Sequence, residues 1–253
     1  MELSLTFYVV AGLAVLVTGL SKSGFGGGLG VMAVPTMSLF VAPQFAVAVL
    51  MPILLAMDVL IVWRYRKSWS GRVILSLLPG ALAGLALGAV FFEYMDADLI
   101  KVVVGSLALI FVAEYLVRQR QSEARDTTRI WVPSLLGLTS GFASFVAHAG
   151  GPPVKGYLLK QGLDKTTFVG TNTIFFFTMN AIKTVAYGAS GTMGPESFRV
   201  SLLLVPALVL GLWLGARLHH LIDQSVFVKV VYAFLALTAL RLLWDGLPGV
   251  LGT

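Results

Sequence analysis

The fold is decided by residues 5–41, which read LTFYVVAGLAVLVTGLSKSGFGGGLGVMAVPTMSLFV. This run is apolar and long enough to enter a membrane, but a lysine, two serines and several glycines interrupt it between Ser21 and Gly28. Consecutive glycines favour neither a helix nor a strand and leave backbone N–H groups uncovered. The stretch therefore predicts two membrane-embedded helical arms joined by an irregular break.

The rest of the chain has the same apolar character. Of its 253 residues, 57% are hydrophobic and only 12% are charged, with a mean hydropathy of +0.89, whereas about 25% of a soluble domain is charged. A hydrocarbon core about 30 Å thick needs roughly 20 apolar residues per helix, and several stretches meet that length. The apolar runs are continuous rather than alternating, which excludes a membrane β-barrel. The sequence predicts an all-α integral membrane protein.

Composition also excludes several functions. The chain has no cysteine and only three histidines, so we expect no metal site, no redox chemistry and no cofactor. The net charge of +6 comes mostly from short loops, where membrane orientation explains it better than nucleic-acid binding. No nucleophile elbow, phosphate-binding loop or H-E-x-x-H motif occurs, so we do not expect an enzyme. The amino terminus lacks the basic start of a cleavable signal, and we expect it to remain in the mature protein.

Apolar runs divide the chain into two halves with one plan, a broken segment followed by three whole spans. The first half, 1–117, is predicted to contain a broken hairpin at 5–42 and helices at 45–63, 73–92 and 99–117. A polar linker follows at 118–130. The second half, 131–244, is predicted to contain a broken hairpin at 131–160 and helices at 167–187, 198–216 and 226–244. The plan gives eight to ten membrane segments, depending on how each hairpin is counted.

A repeated motif relates the two halves. Six residues recur 127 positions later: Pro79, Gly84, Leu85, Leu87, Gly88 and Ala89 return as Pro206, Gly211, Leu212, Leu214, Gly215 and Ala216, and Asp96 returns as Asp223. Small residues in membrane helices can serve packing alone. An internal duplication of this size, however, is typical of transporters, whose binding sites lie between the repeats.

The basic residues indicate how the halves are oriented, because cytoplasmic loops collect Lys and Arg. The loop after the helix at 45–63 carries Arg64, Arg66, Lys67 and Arg72, and the linker carries four arginines, whereas the loop at 93–98 is acidic. In the second half the loop at 188–197 has no Lys or Arg, while that at 216–225 carries Arg217, His219 and His220. Corresponding loops therefore face opposite sides. This predicts an inverted repeat in a bacterial-type inner membrane, with a cytoplasmic linker and both termini outside.

The two breaks are the candidate substrate site. The second break reads SFVAHAGGPP over 144–153. Free backbone amides at a helix start bind anions, and irregular backbone at membrane depth is tolerated where it is buried in protein or lines a water-filled cavity. The alternative is that the glycines only permit tight hairpins. The candidate substrate-binding residues are Ser21, Lys22, Ser23, Gly24, Gly26, Gly27, Gly28, His148, Gly150, Gly151, Pro152, Thr171, Asn172, Asn180 and Lys183.

Each ionisable side chain in these apolar stretches has more than one possible role. Lys22 costs at least about 2.5 kcal/mol at membrane depth, so we expect it to bind the substrate, to pair with Asp58 or to extend to the surface. Lys183 either contributes to the site or extends toward the outer surface. His148 either donates a hydrogen bond to the anion, carries a proton or caps the second hairpin. Asp58 and His148 are the candidates for proton coupling.

Neutral polar side chains supply further donors in the helix after the second hairpin. Thr171, Asn172, Thr173 and Asn180 either bind the substrate or form hydrogen bonds between helices.

Three motifs together carry a family resemblance. They are Gly24-Phe25-Gly26-Gly27-Gly28 followed by Pro35, then His148-Ala149-Gly150-Gly151-Pro152, and the repeated Pro-x4-Gly-Leu-x-Leu-Gly-Ala. With these motifs, nearly the whole chain resembles the sulfite exporter TauE/SafE family of anion permeases. It departs from the simplest pattern in His148 and the Pro152-Pro153 pair, where the second repeat often has further glycine.

The resemblance implies a function. Members are secondary transporters of the inner membrane that handle small anions, often sulfur oxyanions such as sulfite or organosulfonates, and commonly export them. Carried over by position, the two glycine motifs would form the substrate site between the repeats. The expected partners are a small anion, the lipid bilayer and a coupling proton, and not nucleic acid. A passive anion channel and a non-transporting membrane scaffold remain as alternatives.

Overall fold

The computed structural model describes residues 3–24, 30–120, 131–218 and 223–252, in which helices and no strands occur. Most of the predicted linker and the centre of the first break, including Gly26, Gly27 and Gly28, lie outside the described residues. The helices are α1 (Leu5–Gly24), α2 (Ala33–Met37), α3 (Pro43–Tyr65), α4 (Gly71–Tyr94), α5 (Ala97–Arg120), α6 (Trp131–Ala147), α7 (Gly151–Leu159), α8 (Lys165–Ala189), α9 (Pro195–Leu203), α10 (Val205–Leu218) and α11 (Gln224–Leu251).

Five of these helices are long and apolar enough to cross a membrane: α1, α3, α4, α5 and α11. The number rises to six if the bent pair of α9 and α10 counts as one span. The all-helical membrane class is therefore confirmed, although this count is lower than the eight to ten segments predicted. The difference arises because α6 has only 17 residues, α7 has nine, and α8 is long but carries threonine, asparagine and lysine side chains.

The second predicted break separates α6 from α7, whereas at the first the prediction of an irregular backbone from Ser21 is wrong, because α1 continues as helix to Gly24. The arms on either side are unequal. The first arms, α1 and α6, have 20 and 17 residues, whereas α2 and α7 have five and nine. A single 3-10 turn, Gly30–Met32, precedes α2. The second break is three residues long, between Ala147 and Gly151. Pro152 falls in the first turn of α7, where a missing N–H leaves no helix hydrogen bond unmade.

Two helix pairs pack in backbone contact through glycines. A Cβ on Gly84 of α4 would lie 2.1 Å from the Leu138 carbonyl oxygen of α6, and a Cβ on Gly211 of α10 would lie 2.4 Å from that of Leu16 in α1. Only glycine permits so close an approach. The glycines of the repeated motif therefore pack α4 of the first half against α6, the first helix of the second half, and α10 of the second half against α1, the first helix of the first half.

These contacts are equivalent in the two halves. A Cβ on Gly88 would meet the Phe145 side chain, and one on Gly215, 127 positions later, would meet that of Ser23. Phe145 in turn follows Ser23 by 122 positions. Helices α3 and α8 begin 122 positions apart and pack together, and α5 and α11 begin 127 positions apart and do the same. The contacts between helices thus keep the same pattern when the halves are exchanged.

Helix α3 lies at the centre of the molecule. All side chains from Ala46 to Met51 are at most 1% exposed. By contrast, the span predicted at 198–216 runs along the outside and is divided at Leu204 by a bend of 44°. Pro206 follows the bend and lacks the N–H that would continue the helix.

Candidate functional site

A cavity opens between the first hairpin, α3, α7 and α8. It is lined by the second half of α3 and by α8 from Val169 to Lys183, so it extends toward the end of the molecule where α3 ends and α8 begins. The basic loop after α3 is anchored at this end, because the Ser70 amide donates to the Thr171 hydroxyl at 2.9 Å. The lining residues are Thr18, Lys22, Gly30, Val31, Leu54, Asp58, Ile61, Ser144, His148, Gly151, Lys155, Val169, Asn172, Thr173, Phe176, Asn180 and Lys183.

Lys22 forms an ion pair at the cavity wall. Its ammonium lies 2.5 Å from Oδ1 of Asp58, whose side chain is 0% exposed, while that of Lys22 is 19% exposed. The second carboxylate oxygen accepts a hydrogen bond from the Asn180 amide at 2.5 Å. Asp58 therefore uses both oxygens on protein donors and holds Lys22 in place. Of the three sequence alternatives for Lys22, the structure contains the pair with Asp58.

Asp58 and Asn180 occupy equivalent places. Asp58 lies 15 residues after Pro43, where α3 begins, and Asn180 lies 15 residues after Lys165, where α8 begins. The two side chains touch each other, so the contact is equally far along both helices. It lies at the crossing of α3 and α8, and Lys22 extends to this crossing from the end of α1.

Lys183 is a buried cation. Its side chain is 1% exposed, and its ammonium donates to the Ser144 carbonyl and hydroxyl at 2.9 Å and to Nδ1 of His148 at 2.8 Å. Three acceptors match the three donors of a charged lysine. Among the described residues, Lys183 has no carboxylate within salt-bridge distance. Its position excludes the alternative that it extends to the outer surface.

His148 connects the second break to two helices. Besides receiving the Lys183 hydrogen bond, its ring donates from Nε2 to the Val47 carbonyl of α3 at 2.9 Å. These partners require a neutral ring that carries its proton on Nε2. The residue has φ of +50°, a conformation that costs energy outside glycine. Both ring nitrogens are thus occupied, so His148 ties the tip of the hairpin to α3 and α8.

Asn172 offers an unused hydrogen bond to the cavity. Its side chain is 8% exposed, and its Oδ1 has no partner among the described residues. Buried polar atoms are rarely left without a partner, and rotation of the amide exchanges its oxygen for its NH₂ group. Thr173 lines the cavity beside it. Thr171 points elsewhere and receives the Ser70 amide described above.

The cavity brings together part of the predicted site. The predicted residues that line it are Lys22, Asp58, His148, Gly151, Asn172, Asn180 and Lys183. Among the other predicted residues, Gly24 is the last residue of α1, and the residues that do not line the cavity are Ser21, Ser23, Gly150, Pro152 and Thr171. Ser23 donates to the Leu212 carbonyl at 2.9 Å, and the Gly150 carbonyl accepts from the Ser140 hydroxyl at 2.7 Å. These two support the packing of the breaks.

Sequence reasoning missed one charged wall residue, Lys155. It lies on α7, two residues after the Pro152-Pro153 pair, and faces the cavity. The signal that could have found it is its place inside the predicted hairpin at 131–160. Among the residues that the structure describes, this wall therefore contains three lysines and one carboxylate.

No group of three or more His, Asp or Glu side chains suited to a metal ion occurs in the part of the chain that the structure describes. The described cavity wall carries ammonium groups, the Asp58 carboxylate, the His148 imidazole, and neutral amide and hydroxyl groups.

Comparison with known proteins adds one finding. The family model described as "Sulfite exporter TauE/SafE" matches residues 11–242 of the 253. Searches of curated proteins and of solved structures found no match to this chain.

Proposed function

We propose, from the premise that this chain belongs to the sulfite exporter TauE/SafE family, that it is a secondary transporter that binds small sulfur oxyanions in the cavity beside Lys22 and Lys183. Membership makes the chain a multi-pass membrane transporter of sulfite or related anions. Sulfite and organosulfonates are the substrates we propose, and export is the proposed direction.

The observation that carries the proposal is the buried positive charge of Lys183 in the cavity wall. Lys22 is paired with Asp58, whereas Lys183 is buried without a salt bridge to any described residue. A buried charge without a counter-charge is costly, by at least about 2.5 kcal/mol at membrane depth. An anion in the cavity supplies the missing counter-charge.

We propose alternating access between two inverted repeats as the mechanism. The equivalent glycine contacts of α4 with α6 and of α10 with α1 support the repeat. The contact of Asp58 with Asn180 supports a site at mid-depth, because it is equally far from the starts of two antiparallel helices. A cavity that extends toward one end of the molecule is what a carrier open to one side requires.

The proposed orientation follows the basic loops. The cavity extends toward the loop that carries Arg66 and Lys67, which we assign to the cytoplasm of a bacterial-type inner membrane. Both termini are then periplasmic, and the described state is open to the cytoplasm.

Proton coupling is proposed at Asp58 and His148. Asp58 holds Lys22, and His148 holds the tip of the second hairpin through a neutral ring. A proton on Asp58 would weaken its pair with Lys22, and a proton on Nδ1 of His148 would remove the acceptor for Lys183, which links protonation to the contacts of the two hairpins.

The test is flux of labelled sulfite into proteoliposomes, with organosulfonates and carboxylates as competitors. We expect Lys22→Ala to abolish flux while expression stays normal. Because that change leaves Asp58 buried and unpaired, the double variant Lys22→Ala/Asp58→Asn is included to remove the stranded charge. The matched control is Lys101→Ala, which also breaks a lysine–aspartate pair but on α5, outside the cavity. Wild-type flux by both Lys22 variants would remove Lys22 from the site.

Two other outcomes distinguish the rival functions. A passive channel would give currents that reverse at the Nernst potential of the anion, without countertransport. A scaffold would give no flux with any anion while the protein remained folded.

A further inference from the structure

Three aromatic rings pack together at the end of the molecule opposite to the one toward which the cavity extends. Each lies two residues before the end of its helix: Phe92 in α4, Phe145 in α6 and Tyr187 in α8. The ring centroids of Phe145 lie 5.7 Å from those of Phe92 and 4.7 Å from those of Tyr187. All three residues are at most 8% exposed. This aromatic cluster therefore holds the ends of three helices together.

The aromatic cluster lies directly beyond the closed end of the cavity. On α8 the lining of the cavity ends at Lys183, and Tyr187 follows one helical turn later. On α6 the cavity is lined by Ser144, and Phe145 is the next residue. Polar groups at the closed end attract water and ions, whereas an apolar constriction excludes them by dewetting. The cluster is thus an apolar layer between the cavity and the far side, where α4 and α8 end.

The second break holds this layer in place through one hydrogen bond. The amide of Ala149, which would continue the helix by donating to the Phe145 carbonyl, donates instead to the Ala143 carbonyl at 3.1 Å. The Phe145 carbonyl accepts from the Tyr187 hydroxyl. The ring of His148, in the same break, lies edge-on to the Tyr187 ring, with their centroids 6.1 Å apart. Movement of the break therefore changes the contacts that seat Tyr187.

The aromatic cluster has unfilled space beside it. A second, apolar cavity lies between α4 and α8 and is lined by Phe145 and Lys183 together with leucine, isoleucine and alanine side chains. Protein interiors are otherwise packed as densely as organic crystals. The Phe145 ring can therefore move without displacing a whole helix.

The equivalent place in the other half differs. Phe145 and Tyr187 correspond to Ser23 and Tyr65, each 122 positions earlier. Ser23 has a hydroxyl where Phe145 has a ring, and Tyr65, the last residue of α3, is only half-buried. This place lies at the end toward which the cavity extends. Aromatic packing is thus tight at the closed end and loose at the equivalent open end.

We infer that the aromatic cluster is the gate between the cavity and the far side of the membrane, and that movement of the second break opens it. This inference rests on the proposed function and deepens it, because a carrier that is open to one side needs a seal on the other. Phe145 fills the constriction, and the Tyr187 hydroxyl holds the break against it.

The experiment measures access to the cavity from each face separately. Thr173→Cys places a single cysteine on the cavity wall of a chain that otherwise has none. Its rate of reaction with an anionic, membrane-impermeant methanethiosulfonate is measured in membrane vesicles of both orientations. A minor conformation is populated to at most about 10%, so we expect reaction from the far side to be slower by about tenfold or more than from the side of the basic loops.

Variants of the cluster are then combined with Thr173→Cys. Phe145→Ala should raise the far-side rate about tenfold or more and leave the rate from the basic side within about twofold, because the seal no longer depends on the conformation. Tyr187→Phe keeps the ring and removes the hydrogen bond, so it should raise the far-side rate by a smaller factor while folding as the parent does. The matched control is Phe142→Ala, which breaks an edge-to-face pair with Phe91 on the same two helices, outside the cluster.

The outcomes separate the gate from the proposed function. A far-side rate that stays unchanged in both Phe145→Ala and Tyr187→Phe would overturn the gate. So would a far-side rise that is matched by a fall on the basic side, since that is a shift between conformations, or an equal rise in Phe142→Ala. The labelling needs no substrate. Expected labelling without flux of any anion would therefore overturn the proposed function and leave the seal standing.

Discussion

The glycine contacts between helices give a prediction whose size follows from the structure. Gly84→Ala places a Cβ 2.1 Å from the Leu138 carbonyl oxygen, and Gly211→Ala places one 2.4 Å from that of Leu16. Ordinary van der Waals contact begins at 3.4 Å, so the helices must separate by about 1 Å or more. Overpacking of this kind costs about 1–3 kcal/mol. The intrinsic helix preference of alanine returns up to about 1 kcal/mol.

The control for this prediction is Gly12→Ala, on the same helix as Leu16. A Cβ there meets nothing within 4 Å, so only the helix preference acts, and stability should stay equal or rise. Unfolding of the purified protein in a denaturing detergent, followed by the fluorescence of its five tryptophans, measures all three variants. We expect Gly84→Ala and Gly211→Ala to be destabilised by similar amounts. If either is as stable as Gly12→Ala, the close packing is wrong; if only one is destabilised, the equivalence of the halves is wrong.

Two more predictions concern access and pH. The chain has no cysteine, so a single introduced cysteine reports access to its own position. Val169→Cys on the cavity wall should react with a membrane-impermeant maleimide added to the face of the basic loops, while Val47→Cys, at the equivalent buried position of α3, should be protected. Equal labelling of the two variants would contradict a cavity open to one side. Asp164 caps α8, and hydrogen bonds, chiefly that to Thr167, lower its pKa. The cap therefore stabilises the fold fully above the pKa that Asp164 has in the unfolded chain, and this stabilisation is lost as the pH falls through the pKa of Asp164 in the folded protein. The unfolding temperatures of Asp164→Ala and of the wild type should differ at neutral pH and converge in acid.

Most of the helices and the second break were predictable because their signals are local, whereas the start of the first break was not, since α1 runs through Ser21 to Gly24. Apolar length predicts a helix such as α4 within two residues at each end, and the second break at His148 lies where the glycines indicate. The bend at Leu204 was not predicted, because its signal, Pro206, has an equivalent in Pro79 that α4 accommodates without a break. A proline at equivalent positions thus lies within a continuous helix in α4 and follows a bend between α9 and α10, so the sequence signal alone does not predict the bend.

The candidate site was only partly predictable because its partners are distant in sequence. Lys22 meets Asp58 across 36 residues, and Asp58 meets Asn180 across 122. Periodicity does not choose among such partners; packing of α1, α3 and α8 does. Lys183 shows the same limit, since its position near the end of a helix suggested a surface role, whereas α6 and the second break surround it.

The equivalence of the halves stops at the cavity. The glycines that join the helices are duplicated, but Asp58 corresponds to Asn180 and Ile61 to Lys183, each 122 positions on. After an exchange of the roles of the halves, the occupant would therefore meet a differently charged wall. On the proposed alternating-access mechanism, a carrier with such unlike faces would have different half-saturation concentrations on the two sides of the membrane. For an uncoupled carrier, thermodynamic reversibility then requires the maximal rates in the two directions to differ by the same factor as the half-saturation concentrations. The asymmetry therefore sets the substrate concentration at which each side operates, and it creates no concentration gradient of its own.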